Sequence, residues 1–173
     1  SNGNTRGNDL YTSGRIAAIL IDTLNDPTGN TAIVGGVSGG VWKTSNFLSN
    51  FPNWKNVNDY FDNMAISSIC QDPAHPSVMY FSTGEASSNA DAHFGFGVWK
   101  STDKGETWQQ LPSSVNFIRN WKIICDPAGN IYLASRTTAT PALNTTGLAR
   151  STDGGATWTN ITPTAQGTAT ASA

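Results

Sequence analysis

The chain alternates short apolar runs with clusters of Gly, Asn, Asp, Pro, Ser and Thr. Ile16-Ala17-Ala18-Ile19-Leu20-Ile21 reads as a buried strand, closed by the turn residues Asn25-Asp26-Pro27-Thr28-Gly29-Asn30. A second strand, Thr31-Ala32-Ile33-Val34-Gly35, a small-residue loop over 36–40 and a third strand, Val41-Trp42-Lys43-Thr44, follow, and Trp54-Lys55-Asn56-Val57 comes next. The order then returns twice. Ala65 to Cys70, Val78 to Phe81, Gly97 to Lys100 and Trp108 to Leu111 form the second round; Trp121 to Cys125, Ile131 to Ala134, Gly147 to Arg150 and Trp158 to Ile161 form the third. Asp22, Asp72 and Asp126 correspond, as do Trp42, Trp99 and Ala149, and Trp54, Trp108 and Trp158.

A four-strand unit recurring at about fifty residues has the size of one β-propeller blade. The expected fold is all-β: about three four-stranded antiparallel blades of a larger propeller. The units fall at 14–58, 64–112 and 119–163, with 1–13 as an N-terminal tail or edge strand and 164–173 as a low-complexity tail. Each blade buries its faces only against its neighbours, so three blades leave two sheet faces bare. The expected partner is therefore the rest of a longer chain, or a separate protein covering those faces.

The sharpest repeat mark is an eight-residue phrase. Ser101-Thr102-Asp103-Lys104-Gly105-Glu106-Thr107-Trp108 is rewritten fifty positions later as Ser151-Thr152-Asp153-Gly154-Gly155-Ala156-Thr157-Trp158. A short Asp side chain accepts from backbone N–H groups just downstream, and Gly takes the positive φ of a reversal, so the phrase predicts a tight turn between two strands. The Trp then opens the last strand with a large apolar face. In the first unit Asn46 stands where the Asp would, the Gly is absent, and residues 47–53 are inserted before Trp54.

This spacing, S-x-D-x-G-x-T-W, resembles the Asp-box (BNR repeat) of sialidases, sortilin-type receptors and xyloglucan-cleaving hydrolases. The structural box residues would be Ser101, Asp103, Gly105, Thr107, Trp108 and Ser151, Asp153, Gly155, Thr157, Trp158. The phrases over 34–43 and 81–85 are similar to those of large secreted Asp-box proteins, often bacterial and surface-attached, which implies an extracellular or cell-surface location and a binding, adhesion or structural role. A glycoside hydrolase is the alternative. Arg15 is similar to the first arginine of the sialidase clamp, whose partners would lie in blades not present here. The xyloglucanase family carries an Asp just before the paired glycines that precede its third strand; this chain has Ser38 before Gly39-Gly40. Two-carboxylate glycoside hydrolysis then lacks one of its members.

Composition narrows the partners. Charged residues are 13% of the chain and the net charge is -2, with no Lys/Arg cluster of the kind that tracks phosphates, which argues against nucleic acid. No apolar run is long enough for membrane insertion by a helix, and the polar start at Ser1 is expected to be a mature amino terminus or a cut end rather than a signal peptide. No cofactor motif and no metal site are expected. Cys70 and Cys125 lie in apolar strand runs. Aligned on Asp72 and Asp126 they fall one position apart, on opposite strand faces, so separate buried thiols are expected rather than a mutual disulfide.

In an antiparallel meander the box turns lie at one end of the blade and the long loops at the other. Candidate ligand-binding residues on that other rim are Arg15, Tyr60, Glu85, Asp91, His93, Arg119 and Arg136. Arg15 and Arg119 each stand seven positions before an aligned Asp, at the start of a first strand. Two readings stay open for them: forked hydrogen bonds to a carboxylate or sulfate ligand, or pairing with a neighbouring blade's acid and carbonyls. Glu85, Asp91 and His93 are irregularly spaced in a small-residue loop, where solvated polarity competes with an acid/base or metal role. A glycan is the expected small partner.

Overall fold

A computed structural model of the 173-residue chain describes residues 15–57, 65–86, 92–136 and 147–163. The described strands form three antiparallel four-stranded sheets, each in simple meander order. The first holds β1 (Ile16–Ile21), β2 (Ala32–Gly36), β3 (Gly40–Thr44) and β4 (Lys55–Asn56). The second holds β5 (Ile66–Gln71), β6 (Met79–Thr83), β7 (Val98–Ser101) and β8 (Gln109–Gln110). The third holds β9 (Asn120–Cys125), β10 (Ile131–Ser135), β11 (Gly147–Ser151) and β12 (Thr159–Asn160). β5 lies between β1 and β9, so the first strands of the three blades adjoin.

Strand alternation explains how the blades stack. In the first blade Ile19, Val34 and Trp42 share one face, while Ala18, Gly35 and Val41 share the other. The second face packs on Ile69, Phe81 and Trp99 of the second blade. There the apolar surfaces close tightly: a Cβ at Gly35 would lie 2.3 Å from the Ile66 Cγ2. The far face of the second blade, with Cys70, Tyr80 and Val98, meets Ile123, Leu133 and Ala149 of the third. Polar contacts reinforce the first junction, where the buried Asp22 carboxylate accepts from Asn25 and, at 2.7 Å, from Gln71 Nε2 of the second blade. At the turn end Lys43 reaches across to Glu106 at 2.7 Å and to the Lys104 carbonyl at 2.8 Å.

Equivalent residues meet different fates at the two ends of this array. Trp99 is 9% exposed, stacked on Phe81 with centroids 6.0 Å apart; its counterpart Trp42 is 36% exposed, beside Ile19 at 59%. On the third blade Ile124 is 49% exposed, on the face opposite to Ile123. Both terminal sheet faces therefore carry apolar side chains of the type that the internal junctions bury.

The cysteines are free thiols, as their register predicts, but they are not separate. Their Sγ atoms lie 3.1 Å apart across the second junction. The alignment placed them properly on opposite strand faces, but opposite faces of successive blades are the ones that meet. Parity that separates two residues within one sheet joins them between two stacked sheets.

The two eight-residue turns are superposable in their bonding. Ser101 Oγ donates to Asp103 Oδ1 at 2.7 Å and accepts from Gly105 N at 2.8 Å; Asp103 Oδ1 accepts from Thr107 N at 2.9 Å. Ser151, Asp153, Gly155 and Thr157 repeat these at 2.7, 2.9 and 2.9 Å. The Thr157 hydroxyl and backbone N–H hold the Asp153 carboxyl down to about 2, so it stays ionised as an acceptor. In the first blade Thr44 and Asn46 take the roles of Ser and Asp: Asn46 Oδ1 accepts from Thr44 Oγ1 and, across the insertion, from Asn53 N, both at 2.8 Å. The longer turn keeps its anchor by moving the donor from four residues downstream to seven.

Lys104 is the one place where the turns differ in strain. It holds φ 62° where the second copy has Gly154 at 70°. A side chain costs free energy in that left-handed region, partly offset by the smaller entropy of its unfolded state. Lys104→Gly is expected to raise the unfolding free energy by about 0.5–1 kcal/mol, measured by urea denaturation. A loss of stability would show that the Lys104 side chain contributes more than its backbone strain costs.

Candidate functional site

The site lies at the rim opposite the eight-residue turns, where the first strands begin. All three first strands carry a bulge at their start: between Ile16 and Ala18, between Ile66 and Ser68, and where β9 pairs with Ala134 and Ser135. A bulge re-aims the residues around it, and it sits just after Arg15 in the first blade and just after Arg119 in the third.

The described ends of the loop between β6 and β7 lie at this rim and are pinned by backbone bonds. Gly84, at φ 93°, donates to the Ala65 carbonyl at 2.8 Å, and Gly95 donates to the Ile118 carbonyl at 2.8 Å. Thr83 Oγ1 accepts from Phe96 N at 2.7 Å, and the buried Asn120 amide donates to the Thr83 and Phe117 carbonyls, each at 2.7 Å. Glu85 forms an isolated parallel bridge with Asn120. These bonds tie the second blade to the third at the point where the candidate side chains emerge.

Glu85 is the centre of the cluster. Its backbone N–H donates to the His93 carbonyl at 2.9 Å, and its Oε2 accepts from His93 N at 3.2 Å. Its Oε1 accepts from Arg15 Nη2 of the first blade. The Glu85 side chain is 14% exposed and that of Arg15 65%, so a fixed carboxylate faces an arginine still largely in solvent. Among the two readings of Arg15, pairing with a neighbouring blade's acid is what the geometry contains. Arg119 takes a different course: its guanidinium lies over the Phe94 ring, 4.6 Å from the centroid, while its carbonyl accepts from Arg136 N at 2.7 Å. Tyr60 and Asp91 lie outside the described residues.

A groove of about 910 Å³ runs from this cluster onto the first blade. Arg15, Glu85, His93, Ser38 and Gly39 line its rim half; Ile16, Val34, Trp42 and Trp54 line its other half. The two halves differ in kind. Val34 and Trp42 belong to the outer face of the first blade, which no other described strand covers, equivalent to positions that the second blade buries against the first. The rim half is polar and owes nothing to that face. Sequence reasoning singled out Arg15, Glu85, His93 and Ser38, but missed Trp42, Trp54 and the Phe94 platform; the repeat alignment had already marked both tryptophans. Glu85 is the single carboxylate among the groove's described lining residues, and no three His, Cys, Asp or Glu side chains gather into a metal set among the described residues.

No family model matches the chain. A xyloglucanase from a Paenibacillus species is 29% identical over 124 residues, covering 66% of this chain and 11% of that one. Among solved structures, an ancestral GH74 enzyme aligns with TM-score 0.62 at 23% identity, over 85% of this chain and 18% of its own. YCF48 bound to a D1 peptide aligns with TM-score 0.56 at 14% identity, over 86% of this chain and 39% of its own. The chain spans about a tenth of the length of the xyloglucanase it resembles. At these identities the structural matches speak for the fold, and that fold is three blades of a β-propeller.

Proposed function

We propose that this chain is the binding segment of a secreted or cell-surface β-propeller, with Arg15, Glu85 and His93 contacting a glycan at the rim. The observation that carries the reading is the Glu85 carboxylate, fixed by His93 and by an arginine from another blade at the mouth of a groove. Sugar hydroxyls donate to such a carboxylate and accept from the guanidinium, and the fixed geometry lowers the ordering cost of binding. The xyloglucanase relative supports a β-glucan ligand of the xyloglucan class. The bare apolar faces are covered by further blades or by a partner protein in this reading, which leaves the polar rim open to ligand.

A glycoside hydrolase is the second reading, favoured by the same relative. It needs two carboxylates across the scissile bond. Ser38 stands where that enzyme family is expected to place an Asp, so the second carboxylate would come from other blades. The fold does not choose between the readings, since enzymes and non-enzymes share such scaffolds.

The test is calorimetric titration of the full chain with xyloglucan oligosaccharides, beside Glu85→Gln. Removing the charge from a hydrogen-bonded acceptor is expected to weaken binding about 10-fold or more. Equal affinity of the two proteins, or no binding by the unaltered chain, rejects the rim site. Release of reducing ends by the unaltered chain selects hydrolysis over display.

A further inference from the structure

Cys70 is the penultimate residue of the first strand of the second blade and Cys125 the last residue of that of the third, on the faces that stack. Their sulfurs are 3.1 Å apart, at the level where the blades are held by apolar contacts and by Ser68 Oγ donating to the Ile123 carbonyl at 3.4 Å. A disulfide bond requires about 2.05 Å, an approach of roughly 1 Å. Cys70 is buried and Cys125 only partly so, which makes Cys125 the less sheltered of the two. Nothing in the glycan reading depends on either.

We infer that Cys70 and Cys125 form a cross-blade modification site, converted to a disulfide by a small disulfide oxidant or a thiol–disulfide oxidoreductase. The Cys125 thiolate attacks one sulfur of the oxidant, breaks its S–S bond and expels one thiolate, leaving a mixed disulfide on Cys125. Cys70, as its thiolate, then attacks the Cys125 sulfur and expels the second. The two protein protons pass to the two leaving thiolates, so two protein thiols are oxidised and one external disulfide is reduced. The hydrogen bond to Cys125, and then burial, push the Cys70 thiol well above its ordinary range. This order of events follows: the less buried thiol attacks first, and the buried one resolves.

The bond closes a loop between residues 70 and 125 and ties the innermost strands of two blades, so it restricts the unfolded chain as well as the junction. Apolar blade contact holds the junction in the reduced protein, and the disulfide adds a covalent link after export to an oxidising compartment.

The experiment treats the reduced, folded full chain with oxidised glutathione, followed by intact mass and peptide mapping without reductant. The expected product is monomeric, lighter by about 2 Da, with Cys70 and Cys125 in one cross-linked peptide. Its thermal midpoint is expected to rise by roughly 5–15 °C over the reduced form. Cys70→Ser, which lacks the resolving thiol, is expected to keep a stable glutathione adduct on Cys125. A stable adduct on the unaltered chain, a linked dimer, or two thiols that react only after unfolding each overturns the inference. The mass of the unaltered chain decides the matter even if the variant fails to fold.

Discussion

Phe81→Ala is expected to lower the unfolding free energy by about 3–5 kcal/mol. The side chain is fully buried at the junction of the first and second blades. Its ring stacks on Trp99 and tilts against Trp108, with centroids 6.0 and 4.7 Å away. Removing it leaves a cavity bounded by two rigid indoles from the same blade and by Ile33 and Val41 from the first, groups that cannot collapse without moving a strand. Phe81→Leu, which keeps most of the volume, is expected to cost under about 1.5 kcal/mol. Urea denaturation of the three proteins checks both values. A cost below about 1 kcal/mol for Phe81→Ala would mean that the two blades do not share this core in solution.

The same junction shows what the sequence made legible. Period-two alternation and the fifty-residue recurrence placed the strands, because sheet faces and blade order are written directly in the spacing of Ile69, Phe81 and Trp99. The two turns were legible for a similar reason: every side-chain bond of Ser101, Asp103 and Thr107 is local in sequence. Relations between blades were harder. Cys70 and Cys125 were judged by parity within one sheet, yet the contact lies between sheets. Trp42 and Trp99 are equivalent in the repeat, but one is at the end of the array and the other inside it, and position in the array decides their exposure.

The rim was legible only in part. Arg15 and Arg119 read as equivalents, and the bulges after them are equivalent too. Their partners are not, because the long loop of the second blade offers Glu85 to one and the Phe94 ring to the other. A loop without a repeat carries no alignment by which such pairings are foreseen. What fixes that loop is backbone geometry, and this leads to the second large effect.

Gly84→Ala is expected to lower the unfolding free energy by about 2–4 kcal/mol and to abolish the glycan binding proposed for the rim in the same step. Gly84 holds φ 93°, and a Cβ there would lie 2.1 Å from the Ile118 carbonyl oxygen and 2.7 Å from Gly95 N. Both neighbours are backbone, so no side-chain rotation relieves the clash; the strand end or the loop must shift. Either shift breaks the Gly84 bond to Ala65 and moves Glu85 away from Arg15 and His93. Gly39→Ala is the control for stability alone, since a Cβ there meets nothing nearer than 4.0 Å; it is expected to change stability by less than about 0.5 kcal/mol. Denaturation midpoints of both variants, with xyloglucan titration of Gly84→Ala against the unaltered chain, separate the two consequences. If Gly84→Ala loses stability yet binds as tightly as the unaltered chain, Glu85 is not the carboxylate that meets the ligand; if it loses neither, the loop does not hold this path across the rim.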